Sequence, residues 1–432
     1  MKFHSTRGDA REVSLSEAIA AGLAADGGLY VPDALPHLRV DELAAASVAL
    51  PATAAQLLAP FFSGDALSSE LDAICSEAFT FPAPLRELAT SHDHVLELFH
   101  GPTAAFKDFG ARFLAASMRR LLRDASKSLT ILVATSGDTG AAVGAAFSGL
   151  PGFRVVILYP DGRVSPRQAH QLGCFGGNVS ALRVAGSFDD CQRMVKQAFA
   201  DNELRAQVPL SSANSISLGR LLPQMAYYAH SALAHWRRRG ALLNFVVPTG
   251  NLGNAVAGVI ARALGFPIGQ IVLACNANHV LPDFFDGADY APQPSVATLA
   301  NAMDVGSPSN FERLRWFYSD PAALRREFRA FSVGDEEIRA TIRRHYERCG
   351  DIFCPHTATA LHVLEHLRST GEDGDWAVVA TAHPAKFDSV IEPLIGRPVE
   401  VPDALAALLA RPAHAEPLAP AYPALRSRLL AG

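Results

Sequence analysis

The stretch LTILVATSGDTGAAVGAAFSGL (residues 129–150) joins an apolar run, a loop of small and polar residues, and a helical pattern. The run is almost continuously apolar rather than alternating, which is typical of a strand buried on both faces. Four further runs share this character: FRVVILY (153–159), LLNFVVP (242–248), QIVLACN (270–276) and WAVVATA (376–382). Four of the five lead into a loop and a helical pattern, so the sequence predicts an α/β fold with parallel sheets, whose ligands bind at the carboxyl ends of the strands.

Composition narrows the class of protein. The 432 residues are 49% hydrophobic and 19% charged, and the formal net charge is −5. This predicts a globular protein of two or three domains with no nucleic-acid or membrane partner. The six cysteines form no CxxC pair, and the sequence shows neither a signal segment nor a spanning apolar stretch. We therefore expect reduced thiols and a cytoplasmic protein.

The two ends of the chain differ from its middle. Residues 1–90 contain helical patterns around a turn-rich segment, ADGGLYVPDALP (25–36), and predict an added N-terminal region. Residues 401–432 are rich in proline and alanine, and predict a C-terminal strap over the surface.

The segment PTGNLGNAVAGVIA (248–261) follows a predicted strand and opens a predicted helix. Its glycines allow backbone N–H groups to approach an anion, and a helix N-terminus adds unpaired donors. A phosphate site and a simple tight turn both remain open for it. The motif matches neither the dinucleotide nor the P-loop pattern.

The segment ATSGDTGAAVG (134–144) has the same architecture, with hydroxyls at Thr135, Ser136 and Thr139. These donors suit a carboxylate or another anion. Taken alone, Ser136 or Asp138 acting as a helix cap is the favoured interpretation.

Two further segments carry weaker signals. ATAHPAKFDS (380–389) offers Thr381, His383 and Lys386, and the last two are residue types usually found at surfaces or caps. SANSISLGRLLPQMAYY (212–228) offers Asn214, Ser215 and Arg220. Arg220 suits either a phosphate fork or a solvated helix position, and the solvated position is favoured unless a second phosphate site is required.

The stretch HGPTAAFKDFG (100–110) places Lys107 between aromatic residues. Alone it predicts a lysine at the edge of a surface helix. A lysine, a phosphate cradle and a hydroxyl-rich anion loop together indicate pyridoxal 5'-phosphate (PLP), which needs a lysine for a Schiff base and backbone donors for its phosphate. Phe106 and Phe109 are then expected to wall the pocket and lower the pKa of Lys107, while Asp108 is structural. A phosphoryl-transfer enzyme is the alternative, although a Walker lysine and an acidic metal pair are missing, and no metal is predicted.

In order along the chain, GLAADGGLYVP, FPAPL, LFHGPTAAFKDFG, TSGDTGAA, NSIS with Arg220, GNLGNAVAG, NAMDVGSPSNFER and ATAHPAKF resemble the threonine synthase family, in its longer form. The resemblance covers nearly the whole chain. It implies a fold-type II PLP enzyme of the tryptophan-synthase-β group, with two doubly wound parallel-sheet domains around the cofactor. It also implies an N-terminal region at 1–90, a large PLP-binding domain at 91–134 and 210–400, a small domain at 135–209, and the strap at 401–432.

The resemblance also implies roles for individual residues. Lys107 would form the Schiff base, Thr381 would face the pyridine nitrogen, and Asp138 would lie near the cofactor hydroxyl. The cofactor phosphate would be bound by Gly250, Asn251, Leu252, Gly253 and Asn254, the substrate carboxylate by Thr135, Ser136, Gly137 and Thr139, and the substrate phosphate by Asn214, Ser215 and Arg220. Many relatives carry Asn at the position of Asp138, so this carboxylate must be offset or point away from an anionic substrate. Leu252 replaces a frequent Phe, a change expected to be tolerated because backbone groups make the contact.

The activity that the resemblance implies is conversion of O-phospho-L-homoserine and water into L-threonine and phosphate by a PLP-dependent lyase. A related lyase that releases 2-oxobutyrate and a non-catalytic binding protein of the same fold are the alternatives. The expected protein is a cytoplasmic monomer or homodimer.

Overall fold

The computed structural model describes residues 1–9, 11–45, 49–88, 92–122 and 128–431. The strands are β1 (Phe3–Ser5), β2 (Tyr30–Pro32), β3 (Leu85–Glu87), β4 (Asp93–Glu97), β5 (Leu129–Ala134), β6 (Phe153–Pro160), β7 (Val179–Val184), β8 (Leu210–Ser212), β9 (Leu243–Pro248), β10 (Ile268–Cys275), β11 (Arg329–Ser332), β12 (Asp375–Ala380) and β13 (Glu416–Leu418). The first ten helices are α1 (Leu15–Ala21), α2 (Val40–Ala45), α3 (Leu50–Leu58), α4 (Leu71–Ala78), α5 (Lys107–Leu121), α6 (Asp138–Phe147), α7 (Pro166–Gly173), α8 (Phe188–Ala200), α9 (Asn202–Gln207) and α10 (Leu218–Leu221). The other ten are α11 (Met225–Arg239), α12 (Gly253–Ala263), α13 (Val280–Phe285), α14 (Phe311–Phe317), α15 (Pro321–Glu327), α16 (Asp335–Cys349), α17 (Pro355–Ser369), α18 (Asp388–Ile395), α19 (Asp403–Leu409) and α20 (Tyr422–Leu430).

Two sheets organise the molecule. The larger has the strand order β11-β10-β9-β12-β4-β3, and all its neighbours are parallel except β3 and β4. The smaller has the order β13-β7-β6-β5-β8 and is parallel throughout. A two-stranded antiparallel sheet, β1 with β2, lies in the N-terminal region. The predicted α/β fold with parallel sheets is confirmed, and each of the five apolar runs forms a strand.

The strands of the larger sheet are apolar without alternation because both of their faces are covered. In β9, Phe245 and Val247 pack into one core, whereas Val246 packs into a second core on the other face. Successive side chains of a strand point to opposite faces, so a strand covered on both sides needs apolar residues at every position.

The sheets divide the chain differently from the expected domains. Strand β5, expected within the large domain, pairs with β6 and β8 in the smaller sheet. A fully buried strand carries the same apolar pattern in either sheet, so the sequence does not reveal its partners. The expected boundary at residue 90 lies outside the described residues, and the exact domain limits stay a prediction.

The C-terminal segment is more than a strap. Strand β13 adds a parallel edge to the smaller sheet through its pairing with β7, and α20 packs against α8. The guanidinium group of Arg154 donates to the backbone oxygens of Arg428 and Leu429. This segment therefore belongs to the core of the smaller sheet's domain.

Within the described part of the chain, no helix combines the length and apolarity needed to cross a bilayer. Nor do these residues contain a group of three or more histidine, cysteine or acidic side chains placed to hold a metal ion. All six cysteines are free thiols, and five of them are buried.

Candidate active site

One cavity collects the loops that follow β5, β9 and β12. Its lining includes every predicted site residue except Gly137. The carboxyl ends of parallel strands meet at one edge of a sheet, so segments far apart in sequence converge there. The cavity therefore lies where the parallel-sheet prediction put it.

Lys107 is the first residue of α5, and its side chain is half-buried in the cavity wall. Its Nζ lies 4.3 Å from the ring centroid of Phe106. Burial and, to a smaller extent, the charge of Arg220 lower the pKa of Lys107 to about 7, against the opposing effect of Asp138. Phe106 lines the cavity as expected, but Phe109 packs into the core instead, so the expectation of two phenylalanine walls is wrong for Phe109. The interpretation of Lys107 as a surface-helix lysine is also wrong.

Backbone hydrogen bonds fix Lys107 beside Thr381. The N–H of Phe106 donates to Thr381 O at 2.8 Å, and the N–H of His383 donates to Ala104 O at 3.0 Å. Ala104 reaches this position with a φ of 55°, in the left-handed region that non-glycine residues rarely occupy. The loop before α5 and the loop after β12 therefore act as one unit.

The loop between β9 and α12 forms a cradle whose shape depends on a neighbouring segment. A Cβ on Gly250 would lie 2.8 Å from the Cα of Met303, so this position admits only glycine without a backbone shift. Asn251 Oδ1 accepts the N–H of Ser309 at 2.9 Å. Leu252 is buried with a φ of 64° and directly precedes α12.

The cradle presents donors that lack partners. Nδ2 of Asn254 is buried and has no hydrogen-bond partner among the described residues. The first backbone N–H groups of an α-helix also have no intrahelical acceptor. Such donors suit an anion, so of the two interpretations of this loop the phosphate site is favoured.

The loop after β5 is capped in an unexpected way. Thr135 Oγ1 accepts the N–H groups of Gly137 and Gly140, each at 3.0 Å, so the cap is Thr135 rather than Ser136 or Asp138. Gly137 has a φ of 136°, which favours glycine, and its N–H is already committed to Thr135. Ser136 and Thr139 line the cavity.

The carboxylate of Asp138 is offset by a lysine. Oδ1 lies 2.7 Å from Nζ of Lys386 and accepts Nε2 of Gln168 at 2.9 Å. Burial alone would raise the pKa of Asp138, but the charge of Lys386 and the hydrogen bonds from Lys386 and Gln168 outweigh it and hold that pKa below its ordinary value. Lys386 is fully buried and also donates to Thr103 O, so its interpretation as a surface or cap residue is wrong. His383 does cap, since its ring accepts the N–H of Ala385.

Arg220 is buried in the cavity wall with 1% of its surface exposed, so the interpretation as a solvated helix residue is wrong. Its Nη1 donates to Ala213 O at 2.5 Å, and its Nε has no partner among the described residues. Burial lowers the pKa of Arg220 to about 10, with Asp108 and Tyr227 opposing, so the side chain stays charged at neutral pH. A buried cation with a free donor fits an anionic ligand.

Asp108 supports the turn before α5. Its Oδ2 accepts the N–H of Thr103 at 2.9 Å, and its Oδ1 accepts the Thr103 hydroxyl at 2.7 Å. Burial raises the pKa of this carboxyl to about 6. These bonds are those of a structural residue.

Several supporting residues escaped the sequence analysis. Asn301 donates to Oε1 of Gln168 at 2.9 Å, and Nε2 of His356 accepts the N–H of Ala302 at 3.0 Å. Burial lowers the pKa of His356 to about 4, which keeps its ring neutral. Arg313 is buried and donates to Tyr30 O, Ile216 O and Asn310 Oδ1. The motif NAMDVGSPSNFER contains Asn301, Ala302, Asn310 and Arg313. It was identified only through its resemblance to the family, because its pattern alone predicts no function.

Comparison with known proteins bears on the chemistry of this cavity. Family models described as "Threonine synthase N terminus", "Pyridoxal-phosphate dependent enzyme" and "Threonine synthase, C-terminal" match residues 2–79, 82–384 and 357–427. Threonine synthase of Escherichia coli is 37% identical over 431 residues, which cover 100% of this chain and 99% of the relative. The chain belongs to the threonine synthase family.

Similarity to other threonine synthases also extends over nearly the whole chain. That of Haemophilus influenzae is 39% identical over 408 residues, 94% of each chain. The crystal structure of the Escherichia coli enzyme superposes with a TM-score of 0.93, covering 100% of both chains. The structure of PLP-bound threonine synthase from Brucella melitensis is 34% identical with a TM-score of 0.89, covering 100% of this chain and 99% of its own. This threonine synthase family member is a PLP-dependent lyase with the fold-type II architecture.

The cavity fits PLP on its own chemistry. Lys107 has a pKa near neutrality, so its amine is available to react with an aldehyde. The unpaired Nδ2 of Asn254 and the start of α12 can hold a phosphate, and Thr381 brings a hydroxyl to the same cavity.

Proposed function

We propose that this chain converts O-phospho-L-homoserine and water into L-threonine and phosphate, the last step of threonine biosynthesis, in the cavity around Lys107. One observation carries the proposal: a single cavity contains Lys107 and two unpaired buried donors on different elements, Nδ2 of Asn254 and Nε of Arg220. A PLP enzyme whose substrate is itself phosphorylated needs two sets of anion-binding donors.

The first set of donors serves the cofactor. The loop from Gly250 to Asn254 binds the cofactor phosphate, and Thr381 faces the ring nitrogen. PLP, when bound, withdraws electrons from the carbon atoms next to the substrate amino group. The backbone hydrogen bond between Phe106 and Thr381 supports this arrangement, because it holds Lys107 and Thr381 at a fixed separation.

The second set serves the substrate. Arg220, Asn214 and Ser215 bind its phosphate, with the unpaired Nε of Arg220 as the charged donor. Ser136, Thr139 and the hydroxyl proton of Thr135 bind its carboxylate. We propose that Gly137 shapes this loop rather than touching substrate, since its N–H is bonded to Thr135.

Lys107 moves the protons. As a neutral amine, its Nζ removes one proton from the α carbon and one from the β carbon as phosphate leaves, and it returns one proton to the γ carbon and one to the α carbon. Water supplies the hydroxyl at the β carbon, and its remaining proton leaves with the phosphate. A pKa of about 7 supports this role, because amine and ammonium forms are then both populated near neutral pH. Asp138 is held by Lys386, which leaves its charge balanced beside an anionic substrate.

We also propose that the protein acts in the cytoplasm, which the six free cysteines support, and that it is a monomer or homodimer. A lyase that releases 2-oxobutyrate from the same substrate is the second candidate, because it would use the same donors and the same lysine.

The test incubates the purified protein with O-phospho-L-homoserine and measures threonine, phosphate and 2-oxobutyrate together. We expect a yellow protein that forms threonine and phosphate in equal amounts. Lys107→Ala should be colourless in the imine band and inactive, whereas Lys2→Ala, at an exposed lysine, should behave as the unmodified protein. Phosphate with 2-oxobutyrate and no threonine would favour the second candidate, and a protein that stays inert after addition of PLP would refute both.

A further inference from the structure

Two tyrosines lie directly behind the cradle. Tyr227 and Tyr228 are consecutive residues of α11, and both are fully buried. The hydroxyl of Tyr227 lies 2.5 Å from Oδ1 of Asn254, and that of Tyr228 lies 3.0 Å from the same atom. Neither tyrosine belongs to a sequence motif that predicts a function.

These contacts determine which way the Asn254 amide faces. A separation of 2.5 Å suits an O–H···O bond and is too short for an N–H···O bond. If the amide were turned over, the hydroxyl proton of Tyr228 would lose the one acceptor that the described residues offer it. A buried donor without an acceptor is costly, so the oxygen faces the tyrosines and Nδ2 faces away from them.

Nδ2 of Asn254 is the amide atom that these hydrogen bonds leave without a partner. It is buried, it has no partner among the described residues, and Asn254 lines the cavity. An unpaired buried N–H donor beside the start of a helix is a ready ligand for a phosphate oxygen.

We propose that Tyr227 and Tyr228 are positioning residues that hold the Asn254 amide with its N–H group toward the cofactor phosphate. The inference rests on the proposed use of the Gly250–Asn254 loop as the phosphate cradle. Without the two hydroxyls the amide is free to present its oxygen, which would repel the phosphate dianion.

The hydroxyls are suited to this role. Burial raises the pKa of both tyrosines well above the ordinary value, so both keep their protons at any working pH. Tyr227 also lies 3.1 Å from Oε1 of Gln224, whose Nε2 donates to Arg220 O at 2.6 Å. The network thus links the cradle to the helix that carries Arg220.

Replacement by phenylalanine isolates the hydroxyls. Both rings pack against aromatic neighbours, Tyr227 against Phe109 and Tyr228 against Phe245, and phenylalanine preserves these contacts. Tyr422→Phe is a matched control, because it removes a hydroxyl that donates to Asp201, which is not among the residues lining the cavity.

The experiment measures the affinity of cofactor-free protein for PLP and for pyridoxal, which lacks the phosphate. We expect the double variant Tyr227→Phe/Tyr228→Phe to bind PLP about tenfold more weakly, since a hydrogen bond to a charged group is lost. Pyridoxal affinity and the control Tyr422→Phe should stay unchanged. In an Asn254→Ala background the tyrosine replacements should have no further effect, because they act through that amide.

The outcomes separate the proposals. Unchanged PLP affinity in the double variant would overturn the inference and leave the proposed function standing. An equal loss of affinity for PLP and for pyridoxal would also overturn it, and so would an undiminished further loss of PLP affinity in the Asn254→Ala background. In either case the hydroxyls would stabilise the site as a whole instead of orienting the Asn254 amide. Failure of the unmodified protein to bind PLP would overturn both.

Discussion

At the scale of single residues, two lysines in similar local sequences have different surroundings. Lys107 follows Phe106 at the start of α5, and Lys386 precedes Phe387 in the segment after β12. Lys386 donates to Asp138 and to Thr103 O, whereas Nζ of Lys107 lies over the ring of Phe106. Burial in the cavity favours the neutral amine of Lys107.

The lowered pKa of Lys107 predicts how the cofactor-free protein takes up PLP. Only the neutral amine is nucleophilic, so the uptake rate should rise with pH around a midpoint of about 7 rather than the ordinary 10.5. Asp138→Asn should move the midpoint down, because this carboxylate raises the pKa of Lys107. The rate is followed by absorbance, and the same series with butylamine corrects for the ionisation of PLP itself. A midpoint near 10 would contradict the assignment.

The buried pair of Lys386 and Asp138 predicts a stability effect. Lys386→Met leaves a buried carboxylate without its cation, and should lower the free energy of unfolding by about 3 kcal/mol. Lys386→Met/Asp138→Asn should lose clearly less, because no buried charge is left. Urea unfolding of the cofactor-free protein measures both variants, and equal losses would show that the ion pair is not the cause.

The sequence predicted the cavity residues far better than their hydrogen bonds. Lys107, Asn254 and Thr381 were identified because motif and strand position suffice to place them at one sheet edge. Lys386 was named but assigned to a surface or cap position, and the two tyrosines were missed, since burial and pairing depend on residues such as Asp138 that lie far away in sequence.

At the scale of elements, short strands were harder to predict than long ones. The five mostly apolar runs of seven residues became strands, while β8, β11 and β13 have only three or four residues and show no periodicity. The assignment of β5 to the smaller sheet also escaped the sequence, because pairing is decided by contacts between distant segments.

The two glycines of the cradle predict a contrast. A Cβ on Gly250 meets the Met303 backbone at 2.8 Å, whereas the nearest atom to a Cβ on Gly253 is the end of the Asn310 side chain at 3.4 Å. Gly250→Ala should therefore cost about 1–3 kcal/mol of stability by overpacking, and Gly253→Ala clearly less. Thermal unfolding of cofactor-free variants measures the difference. Similar losses of stability in the two variants would mean that the backbone around Met303 shifts to make room for the added methyl group.

At the scale of the whole molecule, a wide opening leads to the cavity. The two share Gln192, Asn214, Ser215 and Asn251 among their lining residues. The opening is bordered by Lys196, Arg205 and Arg315, for which the described part of the chain supplies no ion-pair partner. Its two acidic residues are engaged, Glu312 with Arg7 and Asp26 with Ser5. The entrance therefore carries positive charge on a protein of net negative charge.

This charge predicts salt-dependent capture of a phosphorylated substrate. kcat/KM should fall several-fold between low and physiological salt, since such steering is screened over about 10 Å at 0.1 M ionic strength. Replacing Lys196, Arg205 and Arg315 by Gln should lower kcat/KM at low salt and flatten its salt dependence, with kcat unchanged. Arg343→Gln, at an exposed position on α16, is the control. A triple variant with the salt profile of the unmodified protein would contradict the prediction.

The pairing of β13 with β7 also affects how the protein folds during translation. A ribosome makes β5 to β8 early and β13 only after every strand of the larger sheet. During translation the nascent smaller domain therefore exposes an open strand edge, which is the kind of surface that other chains and chaperones bind.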